Sequence, residues 1–151
     1  LFDTADELGV TTVLDTELAE MTVREAAERA VAAVAGDLPI HLSIDLDVLP
    51  AAVAPGVSAP AGFGVAYAQL RAMVAAVAAT GRVALLDVVE LNPDFDVDNR
   101  TAKAAARLVD DAVAASISGC FLEDQVATGT VISTVSTTRM NQICTIFQML
   151  S

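Results

Sequence analysis

The sequence predicts an α/β fold, a parallel sheet with helices on both faces. Three observations carry this. Apolar runs of strand length alternate with stretches of helical period, in the order β-α-β-α-β-α. The connections between them are short, which demands parallel strands with helical crossovers. Acidic residues stand where the apolar runs give way to loops, and in parallel sheets the chemistry lies beyond the carboxyl ends of the strands.

Taken in order, Phe2 to Leu8 is expected to end a helix that Gly9 closes. Val10 to Leu14 is β-branched and apolar, a short buried strand by composition. Thr22 precedes Glu25 by three residues, the capping-box spacing. Val23, Ala26, Ala27, Ala30, Val31 and Val34 then share one helical face. Gly36 and Pro39 lead into the next strand, where Ile40, Leu42, Ile44 and Leu46 alternate with His41, Ser43, Asp45 and Asp47. That is the period of a strand with one packed face. After a loop over 48–64, Tyr67, Leu70, Met73, Val74 and Val77 recur at helical spacing up to Gly81. Val83 to Val89 is an apolar run of strand length ending at Glu90, and Asn92-Pro93 turns the chain. Asp94, Asp96 and Asp98 form an acidic loop before an alanine-rich helix expected over about 99–115.

The pair Asp45 and Asp47 is the sharpest chemical feature. Alternate residues of a strand lie about 6.6 Å apart, and two carboxylates so spaced can converge on a metal pair about 3.5–4 Å apart. Acids closing a buried strand are poor core material and good ligands for hard cations. Asp45 and Asp47 are therefore expected to ligate metal; the competing reading is a solvated acidic strand end. Glu90 reads either as an ordinary acid at a strand end or as the partner of a planar nitrogen cation. Asp87, inside an apolar strand, reads as a satisfied core acid or as a hydrogen-bonded partner behind the ligands, with the structural role favoured, and His41 reads as a hydrogen-bonded core residue or such a partner rather than a ligand. The 94–98 loop lacks the Gly and distal Glu of a calcium loop, so a solvated loop is expected there.

Net charge is −12 and the isoelectric point about 4.1. This argues against nucleic-acid and anionic-membrane partners and is compatible with attracting divalent cations. No run of eighteen apolar residues marks a membrane span. Cys120 and Cys144 form neither a metal motif nor a disulfide framework, so a reduced, cytoplasmic setting is expected. The start, Leu1-Phe2-Asp3, has no initiator Met and no basic signal region, as expected of an excerpt from something longer. Residues 1–116 hold 28 alanines and 18 of the 20 acidic residues, whereas 117–151 hold one alanine and two acids. A boundary is expected near 116. The remainder, 117–151, is read as an unassigned tail: a non-native or disordered continuation, or an appendage that pairs with another chain.

Ser43-Ile-Asp-Leu-Asp47, Ala51, Pro55-Gly56 and Gly64 together resemble a signature of the ureohydrolases, the arginase–agmatinase family. Asp87, Glu90, Asn92 and Pro93 resemble that family's D-x-x-E-x-N-P segment. The resemblance covers about 1–115 and implies the C-terminal part of an arginase-like three-layer fold. It implies that Asp45 and Asp47 bind a pair of manganese ions and that Glu90 holds a guanidinium or amidinium. It further implies a small-molecule amidine substrate and a homo-oligomer.

Within the family the chain looks most like the formimidoylglutamase branch, whose members hydrolyse N-formimidoyl-L-glutamate to glutamate and formamide in histidine breakdown. Pro50 stands where many relatives have a further Asp, and Ser58-Ala59-Pro60 replaces Gly-Thr-Pro. Ala59 lacks the hydroxyl of that threonine, which puts arginine-type substrates in doubt. The family's other ligands lie in histidine-containing segments, and this chain's only histidine is His41. The chain alone is therefore expected to be catalytically silent. The alternatives are an agmatinase or guanidino-acid hydrolase fragment, or a non-catalytic paralogue. A phospho-receiver domain, suggested by Leu85 to Val88, lacks the required acidic pair and strand-borne lysine.

Overall fold

The structure is a computed structural model, and it describes residues 7–123 and 144–146. The chain enters at the end of the first expected helix, most of which lies outside the described residues. Gly9 has φ +69°, as the helix-closing position requires. The expected strand over Val10–Leu14 does not form: this stretch is irregular and has no strand partner among the described residues. Its β-branched composition is outweighed by the helix start at its end. Leu14 carries the extended backbone of a helix N-cap (φ −78°, ψ 154°), and its carbonyl accepts the Glu17 and Leu18 N–H groups. It opens a five-residue helix, α1 (Asp15–Ala19), too short to announce itself by periodicity.

Helix α2 (Val23–Ala33) begins at the expected capping box. The Thr22 hydroxyl accepts the Glu25 N–H at 3.2 Å, and the Glu25 carboxylate accepts the Thr22 N–H at 2.8 Å. Its buried side is Ala26 and Ala30, continued by Val34, whereas Val23 on the expected apolar face is exposed. Strand β1 (Ile40–Asp45) buries every second residue. It pairs in parallel with β2 (Val83–Val89), with Leu42 opposite Leu86, Ser43 opposite Asp87 and Asp45 opposite Val89. The crossover between them is α3 (Tyr67–Ala78), which inserts Leu70, Met73, Val74 and Val77 into the core. Gln69, also buried, donates from Nε2 to the Leu18 and Met21 carbonyls and so ties α3 to α1.

Helix α4 (Arg100–Glu123) presents Thr101, Ala104, Ala105, Leu108 and Ala112 to the same core. It outruns its expected end at 115. Ser116 and Ser118 satisfy their hydroxyls on the carbonyls four residues back, each at 2.9 Å, so neither serine stops the helix. A short strand β3 (Cys144–Ile146) adds in parallel to the other side of β1, giving the order β2-β1-β3.

α2 packs on α3 and α3 on α4, and a single core joins these helices to Ile40, Leu42 and Ile44 of β1. The second helical layer of the expected architecture is not among the described residues. As a result β2 is less buried than its apolar sequence suggests: Leu86 and Val88 lean on the core, but Leu85 is 52% exposed and Val89 38%. Among the described residues no helix is long and apolar enough to cross a membrane.

Candidate functional site

β1 delivers two acids to one place by a turn, not by its pleat. The strand ends at Asp45, and Leu46–Val48 form a single 3₁₀ turn. Asp45 is the N-cap of that turn: its Oδ1 accepts the Asp47 N–H at 2.8 Å. The expected geometry, two carboxylates on one pleated face, is therefore corrected. Leu46, Val48 and Leu49 are all buried, and the turn makes this possible, since an extended chain would carry Leu49 to the outer face.

Asp47 is the unusual member of the pair. Its Oδ1 is buried and has no hydrogen-bond partner. Burial, the Asp45 carboxylate and the Glu90 carboxylate push its pKa above the usual carboxylate range, opposed by a hydrogen bond from the Ala59 N–H. An unpartnered buried oxygen costs about 1–3 kcal/mol. Asp45 and Glu90 thus both act on the Asp47 carboxyl, and no cationic side chain is among the groups that shift it.

Glu90 closes β2 in the left-handed region, with φ +67°. For a residue with a side chain this costs of the order of 1–3 kcal/mol, and the surroundings hold it there. Asn92 donates its N–H to the Gly56 carbonyl at 2.7 Å, and Gly56 donates its own to the buried Thr101 hydroxyl at 2.7 Å. Gly56 lies so close to the loop after β2 that a Cβ would stand 2.5 Å from that of Asp96. Ser58, two residues further on, donates from Oγ to Glu90 Oε2 at 3.1 Å.

The acidic loop after Glu90 is structural in its centre. Burial raises the Asp96 pKa, but N–H bonds from Thr101, Ala102 and Val97 outweigh it and hold the carboxyl below its usual range. Asp96 thereby caps α4.

On the face shared with Asp45, Asp87 bridges two β1 side chains. The Ser43 hydroxyl donates to its Oδ1 at 2.5 Å, and His41 Nε2 lies 2.6 Å from its Oδ2. These bonds hold the Asp87 pKa below the usual range. Among the described residues no group of three or more His, Cys, Asp or Glu side chains encloses a metal position.

A family model described as the arginase family matches residues 1–115. The chain belongs to the arginase family. It is 52% identical over 109 residues to the formimidoylglutamase of Nocardia farcinica, an alignment covering 72% of this chain and 34% of that protein. Among solved structures it is similar to proclavaminate amidino hydrolase from Streptomyces clavuligerus (TM-score 0.70, 27% identity, 77% of this chain and 38% of the other). It is also similar to Trypanosoma cruzi formiminoglutamase, whose structure was determined with Mn²⁺ (TM-score 0.58, 27% identity, 66% and 34%). The chain spans about a third of the length of the curated relatives it matches.

Sequence reasoning missed the hydroxyl of Ser58 and the buried Thr101 that anchors its loop. The departure from Gly-Thr-Pro at 58–60 is visible in the sequence, but there it reads only as a loss, at Ala59. The gain, a donor at the preceding position, is the signal that could have found it.

Proposed function

We propose that this chain supplies one wall of a binuclear manganese site that hydrolyses a linear amidine, N-formimidoyl-L-glutamate, to L-glutamate and formamide. The observation that carries the reading is the buried Oδ1 of Asp47, unpartnered and crowded by Asp45 and Glu90. A divalent cation is the partner that relieves all three, because it takes an unshared oxygen and cancels carboxylate repulsion. The donor set fits: hard oxygen ligands on a rigid turn suit manganese. Asp45 and Asp47 would hold the metal, which when bound supplies an activated water and a Lewis acid.

The remaining work falls to the chain's own groups. Glu90 presents a carboxylate that a planar amidinium pairs with through charge-assisted N–H bonds. Its left-handed backbone and the pinned 55–60 loop fix that carboxylate before the substrate arrives, so little ordering is left to be done on binding. Asp45 orients Asp47 through the backbone bond across the turn. The ~50% identity to formimidoylglutamases supports the substrate named here. The chain alone is expected to be silent, since these acids form only one side of a two-metal centre.

Adding Mn²⁺ to the ¹⁵N-labelled chain is expected to broaden amide signals around residues 45–48 and 58–60 first. Asp45→Asn should weaken this at least tenfold. Uniform broadening, indifferent to that substitution, counts against the metal role. Formamide release should remain at background for the chain by itself.

A further inference from the structure

We propose that two copies of this chain associate by exchanging β3: the Cys144–Ile146 strand of one copy seats in parallel on the edge of β1 in the other. The seat lies at the opposite end of β1 from its acids, and filling it requires neither metal nor substrate.

The two edges of β1 are unequal. On one, β2 pairs with every residue from Ile40 to Asp45. On the other, only Ile40, His41 and Leu42 are paired, with Cys144, Thr145 and Ile146. Ser43 to Asp45 have no strand partner on that side among the described residues. Such an edge presents backbone donors and acceptors that an added strand satisfies, whichever chain brings it.

Connectivity decides which chain that is. α3 and α4 lie side by side: the Tyr67 hydroxyl donates to the Ala104 carbonyl at 2.8 Å, and Arg71 pairs with Asp111. Both helices contribute to the one core that contains Ile40, Leu42 and Ile44 of β1. The crossovers β1-α3-β2 and β2-α4-β3 therefore run over the same face of the sheet. They step in opposite directions, because β2 and β3 flank β1 on opposite sides. With parallel strands, a shared face and opposite steps give the two crossovers opposite hands. Such crossovers are right-handed in about 98% of cases, so within a single chain one of the two breaks the rule. β1-α3-β2 joins strands paired along the whole of β1 and seats α3 in the core, so the exception falls on β2-α4-β3. A β3 supplied by a second copy makes no crossover over this face, and the conflict disappears. Residues 124–143 join α4 to β3, and a chain of that length reaches up to about 70 Å. Exchange keeps the strand pairing and changes only which copy provides it.

Sedimentation velocity of the full chain without metal is expected to show a dimer. Thr145→Pro and Ile146→Pro cover both parities of β3, so at least one of them removes a ladder N–H. That variant should lose most of the dimer while keeping the wild-type urea midpoint. The source of the strand is read by bridging His41→Cys to Thr145→Cys, opposite positions in the register, in chains that also carry Cys120→Ser and Cys144→Ser. Chains with one thiol each, refolded together, should be joined by dibromobimane into a covalent dimer. A chain with both thiols should give covalent dimers as well. A bridged monomer from that chain shows β3 seated within its own copy and overturns the exchange. So do a monomeric wild-type chain, a dimer that survives both prolines, or the absence of any bridge. None of these results bears on the manganese response of Asp45 and Asp47, which is measured separately.

Discussion

The two faces of β1 are six residues of one strand put to opposite uses. On one side Ile40, Leu42 and Ile44 are at most 5% exposed and meet α3 and its neighbours. On the other, His41, Ser43 and Asp45 stand half-buried on a face that no described helix covers. The packed face gains free energy from burial, about 2–3 kcal/mol for a leucine. The open face gains little and instead holds charge in fixed positions. The difference teaches that the strand's stability and its chemistry are separable by a single change of register parity, so a substitution on either face should disturb one and spare the other.

The largest effect belongs to the packed face. Leu42→Ala removes a buried side chain between β1 and the helices and should cost about 2–4 kcal/mol, read as a fall in the urea midpoint. Against a total stability of about 5–15 kcal/mol for a domain, that is enough to populate the unfolded chain. Its counterpart on the open face, Ser43→Ala, should cost less than a third as much in the same assay. Equal losses would mean that the open face is packed after all.

Next comes the joint between strand end and loop. Gly56→Ala drives a methyl into Asp96 and should cost about 1–3 kcal/mol. Because that contact anchors Ser58, the Glu90 signals should shift as well. A destabilised variant with Glu90 unmoved would show that the loop and the acid are independent.

The helical layer on the packed side offers a smaller effect with a pH signature. Asp111 of α4 accepts two bonds from the Arg71 guanidinium of α3, at 2.6 and 3.0 Å, and one from Arg107 at 3.0 Å. The Arg71 bond, and behind it Arg107, holds the Asp111 carboxyl below the usual range despite its burial. A depressed carboxylate stabilises the fold above its unfolded pKa and loses that contribution as pH falls through its folded pKa. Asp111→Asn should therefore cost about 1–2 kcal/mol at pH 7 and flatten the acid limb of the stability curve. Chemical denaturation at pH 7 and pH 3 measures both; an unchanged pH slope would remove Asp111 from the account.

Much of this is legible in the sequence, for reasons that differ by element. The alternation of β1 is a period-2 signal read against one continuous core, and the Thr22–Glu25 cap is a local pattern with a local cause. Arginase-family membership is carried by motif spacing, which the match over 1–115 bears out. Val10–Leu14 misleads because β-propensity describes a residue's fit to a sheet and says nothing of whether a neighbouring strand exists. The apolar run of β2 looks buried because composition cannot tell which face has a covering layer. The Ser58–Glu90 bond spans 32 positions, and the left-handed backbone of Glu90 has no signature in its side chain. Both depend on tertiary contacts at Gly56, which a single chain position does not reveal.

The smallest effect on stability falls on the open face, and there its sign matters more than its size. The Asp47 carboxyl is raised by burial and by the charges of Asp45 and Glu90. An acid whose folded pKa lies above its unfolded value contributes most at low pH, and the contribution is lost as pH rises through the folded pKa. Without divalent metal, the Asp47 carboxylate is therefore a burden on the fold once pH has risen through that folded pKa. Asp47→Asn keeps the shape, removes the charge and should leave the chain unchanged or up to about 1 kcal/mol more stable. Saturating Mn²⁺ should reverse the order, raising the melting temperature of the wild-type chain and scarcely moving that of the variant, because binding to the folded state alone stabilises it. A residue that weakens the apo chain and strengthens the loaded one is kept for the cation. If Asp47→Asn destabilises the chain without metal, its carboxylate is serving the fold, and the division between the two faces of β1 does not extend to the turn at the strand's end.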